Sequence, residues 1–288
     1  MTMQEIMGRN MQALTQMEAV AALIARLKLD ASSQPGDPRV REQLDRVVDA
    51  MGLTDVIAAL QSQERMTVIG ATSTMMAQAL DLVAEPGRAP GWSFTDPMII
   101  QGIGGGSTMV AGIIAGGAIG KPDARILDIG TGVGLLAVAF CRTFPESTVV
   151  GIDPWEPSLA FARKNVADAG LDARIALLQT TIEHFDDADG FDLVWMPVMF
   201  LAEAILDDAL AHAVRALRPG GELVMGRFIS GGDPLTAALG DLRTVRSGGT
   251  LLTEQESAAR LERAGLIDVR ELPRTTPAPL GFTVGRKP

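Results

Sequence analysis

The stretch Ile126-Leu127-Asp128-Ile129-Gly130-Thr131-Gly132-Val133-Gly134 constrains this chain more than any other. A short apolar strand runs into an acid. Three glycines follow at alternate positions, and the apolar run Leu135 to Phe140 then reads as a helix. A second apolar run, Thr148 to Ile152, ends on Asp153. Glycine lets the backbone turn tightly and approach a ligand closely. The helix N-terminus beyond it presents N–H groups with no intrahelical partner. An acid after the next strand can accept both hydroxyls of a ribose. The fragment therefore predicts a nucleotide-type site at the carboxyl edge of a parallel sheet.

Spacing narrows the choice of nucleotide. A dinucleotide fingerprint needs Gly-x-Gly-x-x-Gly or Ala, and counted from Gly130 its third position falls on Leu135. The alternate glycines, with Asp128 two residues ahead, instead resemble the signature of the class I, Rossmann-like S-adenosylmethionine-dependent methyltransferases. The resemblance is to the bacterial small-molecule type with an N-terminal helical domain. Phe191 to Pro197 is similar to that family's fourth strand, and Leu217 to Val224 to its turn into the fifth. Gly281 to Pro288 is similar to its last, antiparallel strand. The pieces stand in the family's order and span roughly residues 92–288. The resemblance implies a doubly wound α/β fold with a seven-stranded, mostly parallel sheet. It also implies S-adenosylmethionine as cofactor, S-adenosylhomocysteine as product, and no metal.

Site residues follow from the same resemblance. Asp128 would face the cofactor's ammonium group. Gly130, Gly132 and Gly134 would let its methionyl part pass, and Thr131 would add a hydroxyl donor. Asp153 would take the ribose hydroxyls, followed by Pro154 and by Trp155 along the adenine. Thr181 and Ile182 fall where the family places an acid and a small residue, and a hydroxyl accepts from the adenine amino group less strongly than a carboxylate. Trp195 would complete the cofactor side. Trp92, Gln101, Met196, Met199 and Phe200 would form the acceptor side. Apolar residues there imply an apolar acceptor body, while plain core packing competes for the same side chains.

A general base is hard to find. His212 lies in the middle of a predicted helix and His184 just past Thr181. The plant-type O-methyltransferases with a helical N-terminal domain carry a His-Asp pair after the fourth strand, which Trp195 to Phe200 lacks. The expected reaction is O-, N- or C-methylation of a small molecule or short peptide. An already nucleophilic acceptor such as a carboxylate is favoured, because orientation and water exclusion then suffice. The competing class is a non-catalytic cofactor-binding protein that keeps the fold for regulation or assembly.

The net charge of −10 argues against a nucleic-acid or anionic-membrane partner, which needs clustered Lys and Arg. The first ninety residues hold eight basic and eleven acidic side chains, so no basic arm is hidden there. One cysteine, Cys141, excludes an intramolecular disulfide and reads as a core residue. With a polar, acidic N-terminus it fits a cytoplasmic protein. Met98 to Gly120 is nearly uncharged, but eight glycines interrupt it. It reads as a loop followed by a buried helix rather than a membrane span.

Residues 1–90 show helical periodicity and no strand pattern, and predict about four helices that act as a lid or dimerise. Thr2 and Glu5 form a capping-box pattern, and Asp37-Pro38 opens the second helix. The Met-rich, apolar first helix suggests a homodimer. Pro86 to Pro97 reads as a linker, and residues 91–288 as the methyltransferase domain. Strands are expected near 125–129, 148–152, 174–178, 191–196, 222–229, 267–272 and 281–286. Helices are expected near 133–143, 156–169, 203–217 and 254–264.

Overall fold

The computed structural model describes residues 2–32, 36–229, 233–274 and 279–288. The chain divides into two units, Met1–Ala84 and Glu85–Pro288. The first holds four helices: α1 (Met3–Ala31), α2 (Pro38–Ala50), α3 (Thr54–Ala59) and α4 (Ser62–Ala84). α1 starts on a complete capping box, in which Thr2 and Glu5 each accept the other's backbone N–H. Asp37 caps α2 by accepting from the amides of Arg39 and Val40, ahead of Pro38. The core of this unit is small: Ile24, Leu27, Val48, Ile57 and Ile69. Asp30 gathers Arg26, Arg41 and Arg65 around it. The first half of α1 takes no part in that core, and Met3, Met7, Met11, Leu14 and Met17 are exposed.

The second unit begins with α5 (Pro97–Ser107) and α6 (Met109–Gly116). Strands and helices then alternate: β1 (Arg125–Ile129), α7 (Leu135–Thr143), β2 (Thr148–Ile152), α8 (Glu156–Asp168), β3 (Ile175–Leu178) and β4 (Phe191–Pro197). α9 (Glu203–Ala216), β5 (Leu217–Phe228), α10 (Pro234–Arg246), α11 (Glu254–Arg263), β6 (Ile267–Glu271) and β7 (Leu280–Arg286) complete it. The sheet order is β3-β2-β1-β4-β5-β7-β6. β7 runs antiparallel to both β5 and β6, and the other pairs are parallel. This is the expected seven-stranded, mostly parallel sheet. Strand order reverses between β1 and β4, and at such a switch point the loops leave a crevice beyond the strands' carboxyl ends.

Each face of the sheet is sealed by its own helices. One face packs Ile126, Leu193, Val224 and Val284 under α6 and α7. The other packs Leu127, Val194, Leu223 and Met225 under α9 and Leu261 of α11. Thr253 and Glu256 cap α11 reciprocally, as their spacing predicts.

Three segments depart from expectation. The glycine run 104–106 does not break the chain into a loop but lies inside α5. A Cβ on Gly104 would stand 2.2 Å from Cγ2 of Val133, so glycine there is demanded by a tertiary contact with the turn after β1. The stretch Pro97–Gly116 has the length and composition of a membrane span, yet it is two helices meeting at Thr108, with Val110, Ala111, Ile113 and Ile114 of α6 buried. The Pro- and Gly-rich segment before α5 is strapped down rather than free. Gly91 N–H donates to the Arg246 carbonyl, and Arg246 reaches the carbonyl of Glu85. α10, which receives that strap, has no counterpart among the expected helices.

Candidate active site

The glycine turn leaves β1 at the switch point with Gly130, Gly132 and Gly134 at φ of +68°, +55° and +72°. Side chains rarely adopt this conformation, which explains glycine at alternate positions. Gly134 is the N-cap of α7. Asp153, just past β2, pins the turn from the side. Its Oδ2 accepts from Gly132 N–H at 3.0 Å and its Oδ1 from Trp155 N–H at 2.8 Å. Each oxygen retains a lone pair for a further donor. Burial raises the Asp153 pKa, against the opposing effect of those two amides.

Asp128, at the end of β1, is 1% exposed. Its Oδ2 accepts the Thr131 hydroxyl at 2.7 Å. Its Oδ1 is buried with no partner. Burial pushes this carboxyl up to about 7; the Thr131 hydroxyl opposes that, and the neighbouring Asp153 charge adds to it. A buried carboxylate oxygen without a donor is costly unless a ligand supplies one. An ammonium group is a donor of the right charge.

Thr131 thus spends its hydroxyl on Asp128 rather than on a ligand, a role its position in the motif does not reveal. Gly151, which the sequence reading passes over, makes this possible. It pairs across the strands with Asp128, and a Cβ there would lie 2.7 Å from Thr131 Oγ1. A glycine inside the apolar run of β2 is itself a signal of close approach.

An aromatic group collects at the same edge of the sheet. The Trp92 ring lies 6.5 Å from Trp155, 6.0 Å from Phe200 and 5.8 Å from Phe94, and Phe200 lies 6.4 Å from Phe228. Such spacings are those of favourable edge-to-face and tilted ring pairs. Trp92 donates its Nε1–H to the Phe94 carbonyl, so its polar edge is engaged. Phe94 and Phe228 join a cluster that sequence reasoning does not assemble, since β2, β4, β5 and the strap bring its members from far apart.

The other expected site residues differ in burial and in partners. Trp195 is buried at 5% exposure against Phe282 and Gly226 in the core, although Asp128 is its register partner. Met196 is wholly buried under α9. Met199 is buried too, its backbone tight against Gly249. For Trp195 and Met196 the packing role is the one their surroundings support. Gln101 is locked in a two-way amide pair with Asn165, which also donates to the Val133 carbonyl. Thr181 hydrogen-bonds His184 Nδ1 at 3.0 Å, Ile182 is buried, and Pro154 is exposed.

Two carboxylates that follow members of the aromatic group in sequence, Asp96 after Phe94 and Glu203 after Phe200, are engaged. Asp96 caps α5 through the amides of Met98 and Ile99. Glu203 pairs with Arg260. His212 sits on α9 beside Arg215 and Asp208. Among the described residues no cluster of three or more His, Cys, Asp or Glu could hold a metal ion.

Known proteins resemble this chain over the same region. Residues 126–221 match the family described as "Methyltransferase domain". Demethylmenaquinone methyltransferase of Thermus thermophilus is 37% identical over 111 residues, 38% of this chain and 50% of that protein. The chain spans about half the length of the curated relatives it matches. An O-methyltransferase family protein from Burkholderia thailandensis superposes with a TM-score of 0.72 at 15% identity, over 100% of this chain and 98% of that one. Human N-acetylserotonin methyltransferase, solved in complex with S-adenosylmethionine, gives 0.70 at 13% identity, over 99% and 97%. At such identity the likeness shows the fold alone, a seven-stranded, mostly parallel sheet preceded in the chain by helices.

Proposed function

We propose that this chain, whose residues 126–221 are a methyltransferase domain, transfers a methyl group from S-adenosylmethionine to a small-molecule acceptor. The observation that carries the reading is Asp128, wholly buried at the switch point with one oxygen unpartnered. It fits the cofactor's ammonium group. When bound, the cofactor supplies a methyl group already activated on a sulfonium centre. The left-handed turn Gly130 to Gly134 leaves room for its methionyl part. The free lone pairs of Asp153 would take the ribose hydroxyls, and Trp155, with Pro154, would border the adenine. Thr181 and Ile182 would lie at its amino side.

The acceptor side would be the aromatic group of Trp92, Phe94, Phe200 and Phe228, which suits an apolar, planar body. Asp96, Glu203 and His212 are all engaged in caps or pairs. This favours an acceptor that is nucleophilic before it binds, so that the protein's work is to orient it and exclude water.

The first unit would join two copies. α1 exposes Met3, Met7, Met11, Leu14 and Met17, each at least 40% accessible. A stripe of that kind on a soluble helix seeks a partner surface. Light scattering should give twice the mass of 30.4 kDa; a monomer at micromolar concentration would sink this part. The central reading is tested by calorimetry with S-adenosylhomocysteine and by mass spectrometry of any co-purified ligand. Absence of saturable binding would overturn it.

A further inference from the structure

We propose that Thr131 is a positioning residue: seated on Gly151, its hydroxyl holds one oxygen of Asp128 so that the other faces the cofactor's ammonium group as a carboxylate. This rests on the cofactor reading above and adds the device that makes Asp128 serviceable.

Three residues interlock. Thr131 N–H donates to the Ile152 carbonyl at 3.0 Å, which fixes its backbone against β2. Gly151 lies opposite Asp128 in the β1–β2 register and leaves the space that the Thr131 side chain fills. A Cβ on Gly151 would stand 2.7 Å from Thr131 Oγ1 and 2.9 Å from its Cβ. The hydroxyl is therefore confined between Gly151 and Asp128, where it donates at 2.7 Å.

Nothing else described in the fold steadies the Asp128 charge. Asp153, beside it, is itself negative when ionised. On β4 the charged residue is Asp192, at the strand's other end, where it pairs with Arg218 and Lys121. Arg125 starts β1 and pairs with Asp187. α5 and α6 carry no titratable side chain. α7 has only Cys141 and Arg142, late in the helix. On α8, Glu156 pairs with Arg163 and Lys164 with Asp168. The Thr131 hydroxyl is thus the one hydrogen bond to a carboxyl whose ionisation burial opposes. Removing it should raise the proton affinity of Asp128 further.

The test is calorimetric titration with S-adenosylhomocysteine between pH 6 and 9. If the Thr131→Val variant lifts the Asp128 midpoint by about one unit, affinity should fall roughly fivefold at pH 7 and less than about twofold at pH 9. Titration of the ligand's own ammonium is common to both proteins and cancels in the ratio. Thr131→Ser should stay within about twofold of the wild type, and Gly151→Ala should behave like Thr131→Val. In the ligand-free protein, carbon-13 NMR of the Asp128 carboxyl should show its titration midpoint rise in Thr131→Val. A loss equal at every pH, or an unchanged midpoint, would overturn the proposal while leaving the cofactor reading intact. Failure of the wild type to bind at any pH would overturn the cofactor reading and the proposal with it.

Discussion

Replacing Asp128 with Asn should make the ligand-free protein more stable at pH 8 while removing its affinity for S-adenosylhomocysteine. The carboxyl titrates at about 7 in the fold, against 3.8 for a free side chain. A raised acid binds its proton more tightly when folded. Its contribution is therefore most favourable below the unfolded value and is lost as pH rises through the folded value, with the full loss above about 7. About three units at 1.36 kcal/mol each give a loss on the order of 4 kcal/mol. Asn carries no charge, and its carbonyl can still accept from Thr131. Its amide N–H group would replace the unpartnered Oδ1, at a cost of about 1–3 kcal/mol. The net gain at pH 8 should then be about 1–3 kcal/mol, shrinking or reversing as pH falls towards 4. Urea denaturation of both proteins at several pH values measures this directly. A variant less stable than the wild type at pH 8, or two stability curves that run parallel with pH, would refute the reasoning. Such a trade of stability for binding is what a buried, underpartnered acid at a ligand site implies.

Three further outcomes are expected. Asp153→Ala removes the acceptor for the Gly132 and Trp155 amides as well as the proposed ribose contacts; calorimetry should show S-adenosylhomocysteine affinity down at least about tenfold, since each bond to a charged group is worth roughly 1.5–3 kcal/mol, and unchanged affinity would sink the ribose assignment. Gly104→Ala drives a methyl into Val133 and should cost about 1–3 kcal/mol. Gly105→Ala, whose Cβ meets nothing within 4 Å, should instead be neutral or gain up to about 1 kcal/mol from helix propensity, and equal effects at the two positions in urea would contradict the packing argument. With an acceptor in hand, kcat should stay flat from pH 7 to 9 in Asp96→Asn, Glu203→Gln and His212→Ala; a thousandfold loss in any of them, with cofactor binding kept, would reveal a base.

Much of this molecule is legible in local sequence. The sheet could be read strand by strand because each parallel strand is a short apolar run, and α1, α2 and α11 begin on caps whose spacing is recognisable. The alternate glycines announce themselves because the left-handed turn demands them, and Asp128 and Asp153 because acids at the ends of apolar strands suit the proposed cofactor. α10 carries the same Asp-Pro start as α2, with Asp233 accepting from the amides of Leu235 and Thr236, so this helix too has a local signal. Other features have no local signature. Whether Trp195 and Met196 line a cleft or fill the core depends on what lies across the sheet, here Phe282 for one and the α9 layer for the other. The aromatic group around Trp92 exists only because the strap is tied to the end of α10, more than a hundred residues away in sequence. Likewise the glycines of α5 look like helix breakers until Val133 is seen against Gly104. Local sequence determines backbone turns and caps, whose energetics span a few residues. Which side chains share a pocket is decided by long-range packing, and only the tertiary structure shows that the Thr131 hydroxyl belongs to Asp128.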